Sequence, residues 1–156
     1  MADIFKGVEP LVVKSKISVP YHWWAGETAS TFYVTLRDKQ AIMGTRCAKC
    51  AKLFLPPRKT CPLCFGTEME WKAVKTAGVV QAFTVVRRQL AAMSKKAPVI
   101  YALIKLEGAD SGFLHVLDQV RPEDVKIGMR VEAKFAGNRT ATIFDIEYFK
   151  PASQEK

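Results

Sequence analysis

From residue 78 onward, apolar and polar positions alternate in short runs separated by turn residues, the pattern of half-buried strands rather than helices. Residues 78–88 are rich in β-branched side chains, and residues 98–106 place Ile100, Ala102, Ile104 and Leu106 on one face. Residues 113–117 follow the turn Gly108-Ala109-Asp110-Ser111-Gly112. Met129, Val131, Ala133 and Phe135 then alternate with Arg130, Glu132 and Lys134, and Gly137-Asn138 signals a hairpin. Residues 142–149 put Phe144, Ile146 and Tyr148 on one side of a last strand. Five such strands in so short a span suit a small closed barrel, which pairs its own edges. The assignment is an OB-type barrel, with an SH3-like barrel as the competitor. Residues 121–126 read as a helical turn that plugs it between the third and fourth strands.

Before the barrel the period changes. In residues 28–43, Phe32 and Leu36 are i, i+4 neighbours on one helix face, followed by a late Ile42 or Met43, with Thr28 or Ser30 as N-cap. Upstream, Tyr21-His22-Trp23-Trp24 sits between Pro20 and Gly26. These aromatics either pack on the neighbouring modules or, for Tyr21, Trp23 and Trp24, meet a partner protein, because aromatics are enriched in interface cores. Residues 11–19 alternate without an evident partner.

All the cysteines fall between these two regions, in RCAKCAKLFLPPRKTCPLC, residues 46–64. Two residues between thiolates let both sulfurs of a tight turn face one ion. Two such turns complete a four-thiolate tetrahedral site. Cys47, Cys50, Cys61 and Cys64 are therefore the expected ligands of a structural zinc ion; iron is the alternative, since thiolate cages accept either metal. The loop between the pairs is shorter than usual for this pattern but long enough for a hairpin. The organisation expected is an arm and helix over 1–44, a zinc ribbon over 45–73, a barrel over 74–150 and a frayed tail over 151–156.

Composition adds boundaries. With 49% apolar residues the chain can bury a core, while no apolar run approaches the roughly 18 residues of a membrane helix. MADIFKGVEP does not read as a signal peptide, so a cytoplasmic setting with reduced thiols is expected. The net charge of +9 points to an anionic partner, although the cations are spread along the chain.

Tyr21 to Gly26, Gly44-Thr45-Arg46-Cys47-Ala48-Lys49-Cys50, Phe54-Leu55-Pro56-Pro57-Arg58, Cys61-Pro62-Leu63-Cys64 and the strand series together resemble the acyl-CoA-associated OB-fold family, over residues 20–150. The resemblance implies a mainly β chain with an N-terminal helical segment, a rubredoxin-like zinc ribbon and a C-terminal five-stranded OB-type barrel. It also implies a non-catalytic accessory subunit that docks on a thiolase-like enzyme, or on a related synthase or aldolase, acting on CoA thioesters. A hetero-oligomer with two copies of each chain is the corresponding expectation. One departure is local: such knuckles favour Gly directly after the second cysteine, where this chain has Ala51, and after Cys64 the glycine is delayed to Gly66.

The residues agree with a helper. Carbon–carbon chemistry on thioesters needs a free nucleophilic thiol with a base, and four metal-bound cysteines leave none. His22 and His115 are expected in surface or structural roles. CoA offers phosphates beside a long arm, so Arg58 and Lys59 after the Pro56-Pro57 bend, and Arg87, Arg88, Lys95 and Lys96 around the first barrel loop, are the candidate CoA or partner contacts. The reading from another class is single-stranded nucleic-acid binding, with Tyr101 and Phe113 as the stacking pair.

Overall fold

The structure, a computed structural model, describes residues 7–9, 11–13, 19–89, 91, 93 and 95–152. Phe32 and Leu36, one turn apart, are both buried on α1 (Glu27–Lys39) and pack it against β1 (Ile42–Cys47). The charges at its ends suit the helix dipole, with Glu27 in the first turn and Arg37 and Lys39 in the last. Two sequence expectations fail at these ends. The N-cap is Gly26, without a side-chain cap bond, and Thr28 and Ser30 lie inside the helix; Ser30 N–H donates to Gly26 O at 3.0 Å. Nor does the helix reach residue 43. Gln40 turns left-handed (φ 50°) and its N–H closes on Leu36 O, so Ile42 and Met43 open a strand instead.

That strand is the centre of a three-stranded antiparallel sheet, flanked by β2 (Leu53–Phe54) and β3 (Met69–Val74). The remaining strands are β4 (Ala77–Val86), β5 (Val99–Leu106), β6 (Phe113–Leu117), β7 (Arg130–Phe135) and β8 (Ile146–Pro151). They close a barrel in the order β4-β5-β6-β8-β7, with β6 and β8 parallel and the other pairs antiparallel. This is the five-stranded OB arrangement. Ile100, Ala102, Ile104 and Leu106 face inward as the alternation predicts, and Val125, just after a 3-10 turn at Pro122–Asp124, is buried as a plug. Gly78 lies at a close approach of β4 to β5: a Cβ there would sit 2.4 Å from Lys105 O.

The last strand departs from its predicted face. Phe144 is 64% exposed in a 3-10 turn (Ile143–Asp145), and Ile146 and Phe149 are the buried pair. The register of β7 on β8 shifts between Lys134 and Phe135, and the extra residue breaks strict alternation. Gly137-Asn138 does not make a two-residue hairpin either. Residues 136–145 form a longer connection organised by the buried Asp145, whose carboxylate accepts from Thr140 N–H (2.8 Å) and Ala141 N–H (2.9 Å). Arg139 then ties that connection to the helix, donating to Arg37 O and Ala136 O. Pro151, assigned to the tail, pairs with Val131, and Ala152 N–H donates to Arg130 O. Residues 153–156 of the tail and 14–18 of the alternating arm lie outside the described residues.

The sheet and barrel share one core, in which Phe32, Leu36, Ile42, Leu53, Leu55 and Val74 continue into Val80, Ile104, Phe113 and Phe149. A polar latch fixes the same junction. Asp110, in the turn between β5 and β6, accepts Leu53 N–H (2.9 Å) and Lys52 Nζ (3.0 Å), while its own N–H donates to Leu53 O. Ser111 Oγ accepts Leu55 N–H (2.7 Å) and donates to Leu55 O (2.9 Å). Hydrogen bonding from Leu53 N–H and the Lys52 ammonium holds the Asp110 carboxyl below its usual range.

His115 is buried against Phe113 and Phe149, with Nε2 3.3 Å from Ile143 O and Nδ1 without a hydrogen-bond partner among the described residues. Burial pushes its pKa down, and Lys95 adds to this against the Ile143 and Val116 backbone groups. A folded value below the unfolded one, about 6.5, means the neutral ring stabilises the fold in full above that pH. The contribution is lost as pH falls through the folded value. The unfolding free energy from urea titrations should therefore drop between pH 7 and 5 at up to ~1.4 kcal/mol per pH unit, and His115→Gln should flatten that part of the profile. An unchanged slope in the variant would assign the pH dependence to other groups.

Candidate metal centre and partner surface

Each CxxC pair is held by a backbone knuckle. In the first, Cys47 N–H donates to Lys52 O and Ala51 N–H to Cys47 O, both at 2.9 Å. The second repeats this, with Cys61 N–H to Gly66 O (2.9 Å) and Phe65 N–H to Cys61 O (3.0 Å). Ala51 (φ 59°) and Phe65 (φ 58°) take the left-handed conformation that glycine favours. The knuckle geometry is thus kept at both places despite the missing glycines, at a cost of roughly 1–2 kcal/mol each.

The four sulfurs lie within 4.8 Å of one another, and Cys47–Cys64 and Cys50–Cys61 are each 3.5 Å apart. A tetrahedral ion with bonds of about 2.3 Å requires sulfurs about 3.8 Å apart, so the set fits a four-thiolate ion. Cys47 and Cys61 are buried, and Cys50 and Cys64 are half-buried. Backbone N–H groups point at the sulfurs. That of Cys50 holds Cys47 below the ordinary thiol value. Burial would raise Cys61, but the N–H groups of Cys64 and Leu63 outweigh it and bring it to about 6. Cys64 accepts from Gly66 N–H, yet burial and the neighbouring sulfurs push it up to about 11. Proton sharing of this kind is what a cation at the centre of the cluster replaces.

The other candidate residues are spread over the surface. Thr45 on β1 is buried; its Oγ1 accepts Arg58 N–H (2.7 Å) and donates to Arg58 O (2.9 Å). The backbone at Arg58 is thereby pinned while the Arg58 and Lys59 side chains stay exposed, beside a cavity of about 160 Å³ that Thr28, Thr31 and Trp71 also line. Lys95 and Lys96 border a different cavity, about 380 Å³, between the start of β5 and the end of β6. Lys95 is committed within the chain: its Nζ lies 2.5 Å from Asp118 Oδ2 and 4.6 Å from the Tyr148 ring centroid. Arg87 and Arg88 are exposed at the far end of β4. The expected cations therefore do not converge on one site.

Tyr21, Trp23 and Trp24 are 77%, 73% and 82% exposed, so they do not pack on the ribbon or barrel. His22 is exposed as well. Phe113 is 1% exposed inside the barrel, which removes the stacking pair proposed for single-stranded nucleic acid. Asp110 and Ser111 escaped the sequence reading as junction residues. Their only signal was a polar pair inside a glycine-flanked turn, which serves equally for any loop.

Comparison with known proteins agrees with this architecture. Residues 35–70 match the ChsH2 rubredoxin-like zinc ribbon domain, and residues 71–136 match the ChsH2 C-terminal OB-fold domain. A DUF35 domain-containing scaffold protein of Methanocaldococcus jannaschii is 35% identical over 101 residues, 64% of this chain and 71% of the relative. Its counterpart in Pyrococcus furiosus is 31% identical over 103 residues, 66% of this chain and 74% of the relative. Among solved structures, a chain of the Ltp2-ChsH2(DUF35) aldolase shares the fold at TM-score 0.63 and 22% identity, covering 84% of this chain and all (100%) of that one. A DUF35-family protein of unknown function from Sulfolobus solfataricus aligns at TM-score 0.55 and 25% identity, covering 69% of this chain and 78% of that one. With its ribbon and its barrel both matched, this chain belongs to the DUF35 family.

Proposed function

We propose that this chain is a zinc-stabilised, non-catalytic scaffold subunit that docks on a thiolase-like or related acyl-CoA enzyme. The observation that carries the reading is the pairing of a thiol set closed on itself with a bare aromatic segment, Tyr21, Trp23 and Trp24, beside α1. The first leaves no cysteine to attack a thioester. The second is apolar surface of the kind that interface cores use. The relatives named as scaffold proteins, and an aldolase structure that includes a DUF35 chain, support the same reading. In the complex the ion would hold the two knuckles together, and through them the loop that carries Arg58.

The zinc assignment predicts one zinc per chain by elemental analysis of protein purified without added metal. Apparent metal-binding energies of small zinc modules are ~10–16 kcal/mol, so a strong chelator should melt the ribbon while the barrel keeps its β signal. Visible thiolate–iron absorption would overturn zinc in favour of iron.

Docking is tested by a tagged pull-down from native lysate at moderate salt. A thiolase-like or related acyl-CoA enzyme should appear near stoichiometry, and Trp23→Ala with Trp24→Ala should weaken capture by ~30-fold or more, as for hot-spot aromatics. Recovery of nucleic acid in its place would support the competing class, with affinity falling steeply as salt rises.

Contact with the thioester is the finer part of the reading, and Arg58 is its best-placed residue. Charge-assisted hydrogen bonds contribute ~1.5–3 kcal/mol, so Arg58→Glu should weaken binding of a CoA thioester to the complex by ~10–100-fold. Unchanged affinity would leave Arg58 as a solvated cation.

A further inference from the structure

β4 is joined to its neighbours unevenly. On one side it pairs with β5 from Gly78 to Val86, with a slip of one residue between Val80 and Ala82. On the other it pairs with β7 through Ala77, Gly78 and Val79, and the last bonds on that side join Val80 to Gly128 and Met129. Beyond the bulge at Gln81 the strand runs on beside β5 alone. Among the described residues nothing pairs the opposite edge of residues 81–86.

Exposed edges of sheets are ordinarily blunted by charge, proline or a covering element. The outer strand of the ribbon, β3, follows this rule with Glu70 and Lys72. The open stretch of β4 does not: Gln81, Ala82, Phe83, Thr84, Val85 and Val86 include no charge, no proline and no glycine. Phe83 remains 37% exposed although it lies opposite the fully buried Ala102 of β5.

We propose that this edge is occupied by a second copy of the chain, β4 against β4, antiparallel about a two-fold axis at Thr84. The edge is self-complementary in that register. Thr84 faces Thr84, Phe83 faces Val85 twice, and Ala82 faces Val86. Thr–Thr and aromatic–β-branched pairs are among the stabilising cross-strand combinations. Arg87 falls opposite Gln81, so no like charges meet. The two Arg87 residues stand about 20 Å apart along the ribbon at about 3.4 Å per residue, beyond the screening length of about 8 Å at physiological ionic strength. An isologous contact of this kind closes on itself, joining two barrels and using up the edge that would otherwise recruit further chains.

The test uses the full chain and a charge swap at Thr84, an exposed position that the core does not use. Sedimentation should give twice the 17.4 kDa chain mass for the wild type. Thr84→Lys and Thr84→Glu should each sediment as folded monomers with an unchanged far-UV β signal, because each places like charges directly opposite. An equimolar mixture of the two should recover the dimer. A monomeric wild type would overturn the pairing and leave the edge to a strand of another protein. A dimer that survives both substitutions, or a mixture that stays monomeric, would overturn it by assigning self-association elsewhere.

Discussion

The convergence of four sulfurs is the constraint from which the N-terminal half takes its shape. The ribbon has little apolar material of its own: Cys47, Phe54 and Cys61 are buried together, with Cys50, Cys64 and Met69 partly covered around them. So small a cluster does not offset the chain entropy of two knuckles and a loop. The geometry bears the mark of that demand. Ala51 and Phe65 take left-handed backbone conformations that their side chains disfavour, because only that turn aims the adjacent N–H groups and sulfurs inward.

From the ribbon, order passes to the barrel by two routes. One is apolar and continuous, since β1, β2 and β3 cover residues that the helix and the barrel also bury. The other is polar and local: Asp110 and Ser111 present to residues 52–55 a set of donors and acceptors resembling one more strand. The apolar route supplies most of the burial energy, which has no preferred direction. The hydrogen bonds fix the orientation. Together they fix the ribbon's orientation on the barrel.

Exposure follows the same division. Phe113, half of the pair a nucleic-acid reading would have used, lies in the barrel interior and Tyr101 is half-buried, while Tyr21, Trp23 and Trp24 stand bare ahead of the helix. Basic residues that look alike in the sequence have different situations in space. Arg58 is pinned through its backbone and keeps its charge outward, whereas Lys95 pairs with Asp118 and covers Tyr148.

The sequence alone determined the four-thiolate cluster, the inward face of β5, the helix face of Phe32 and Leu36, and the five-strand barrel. In each case the information is local: a two-residue spacing, a period of two or a period of four places side chains on one side whatever lies beyond. Tertiary structure decided the rest. Ile42 and Met43 left the helix pattern because Val74 and Ala73 of β3 offered them a ladder, and Phe149 replaced Phe144 in the core because an extra residue on β8 reset the alternation. The Asp110–Ser111 latch, the burial of His115 and the open edge of β4 depend on which distant segments arrive beside them. A linear pattern cannot hold that, because hydrogen-bond partners and exclusion of water are properties of the packed neighbourhood and not of the residue.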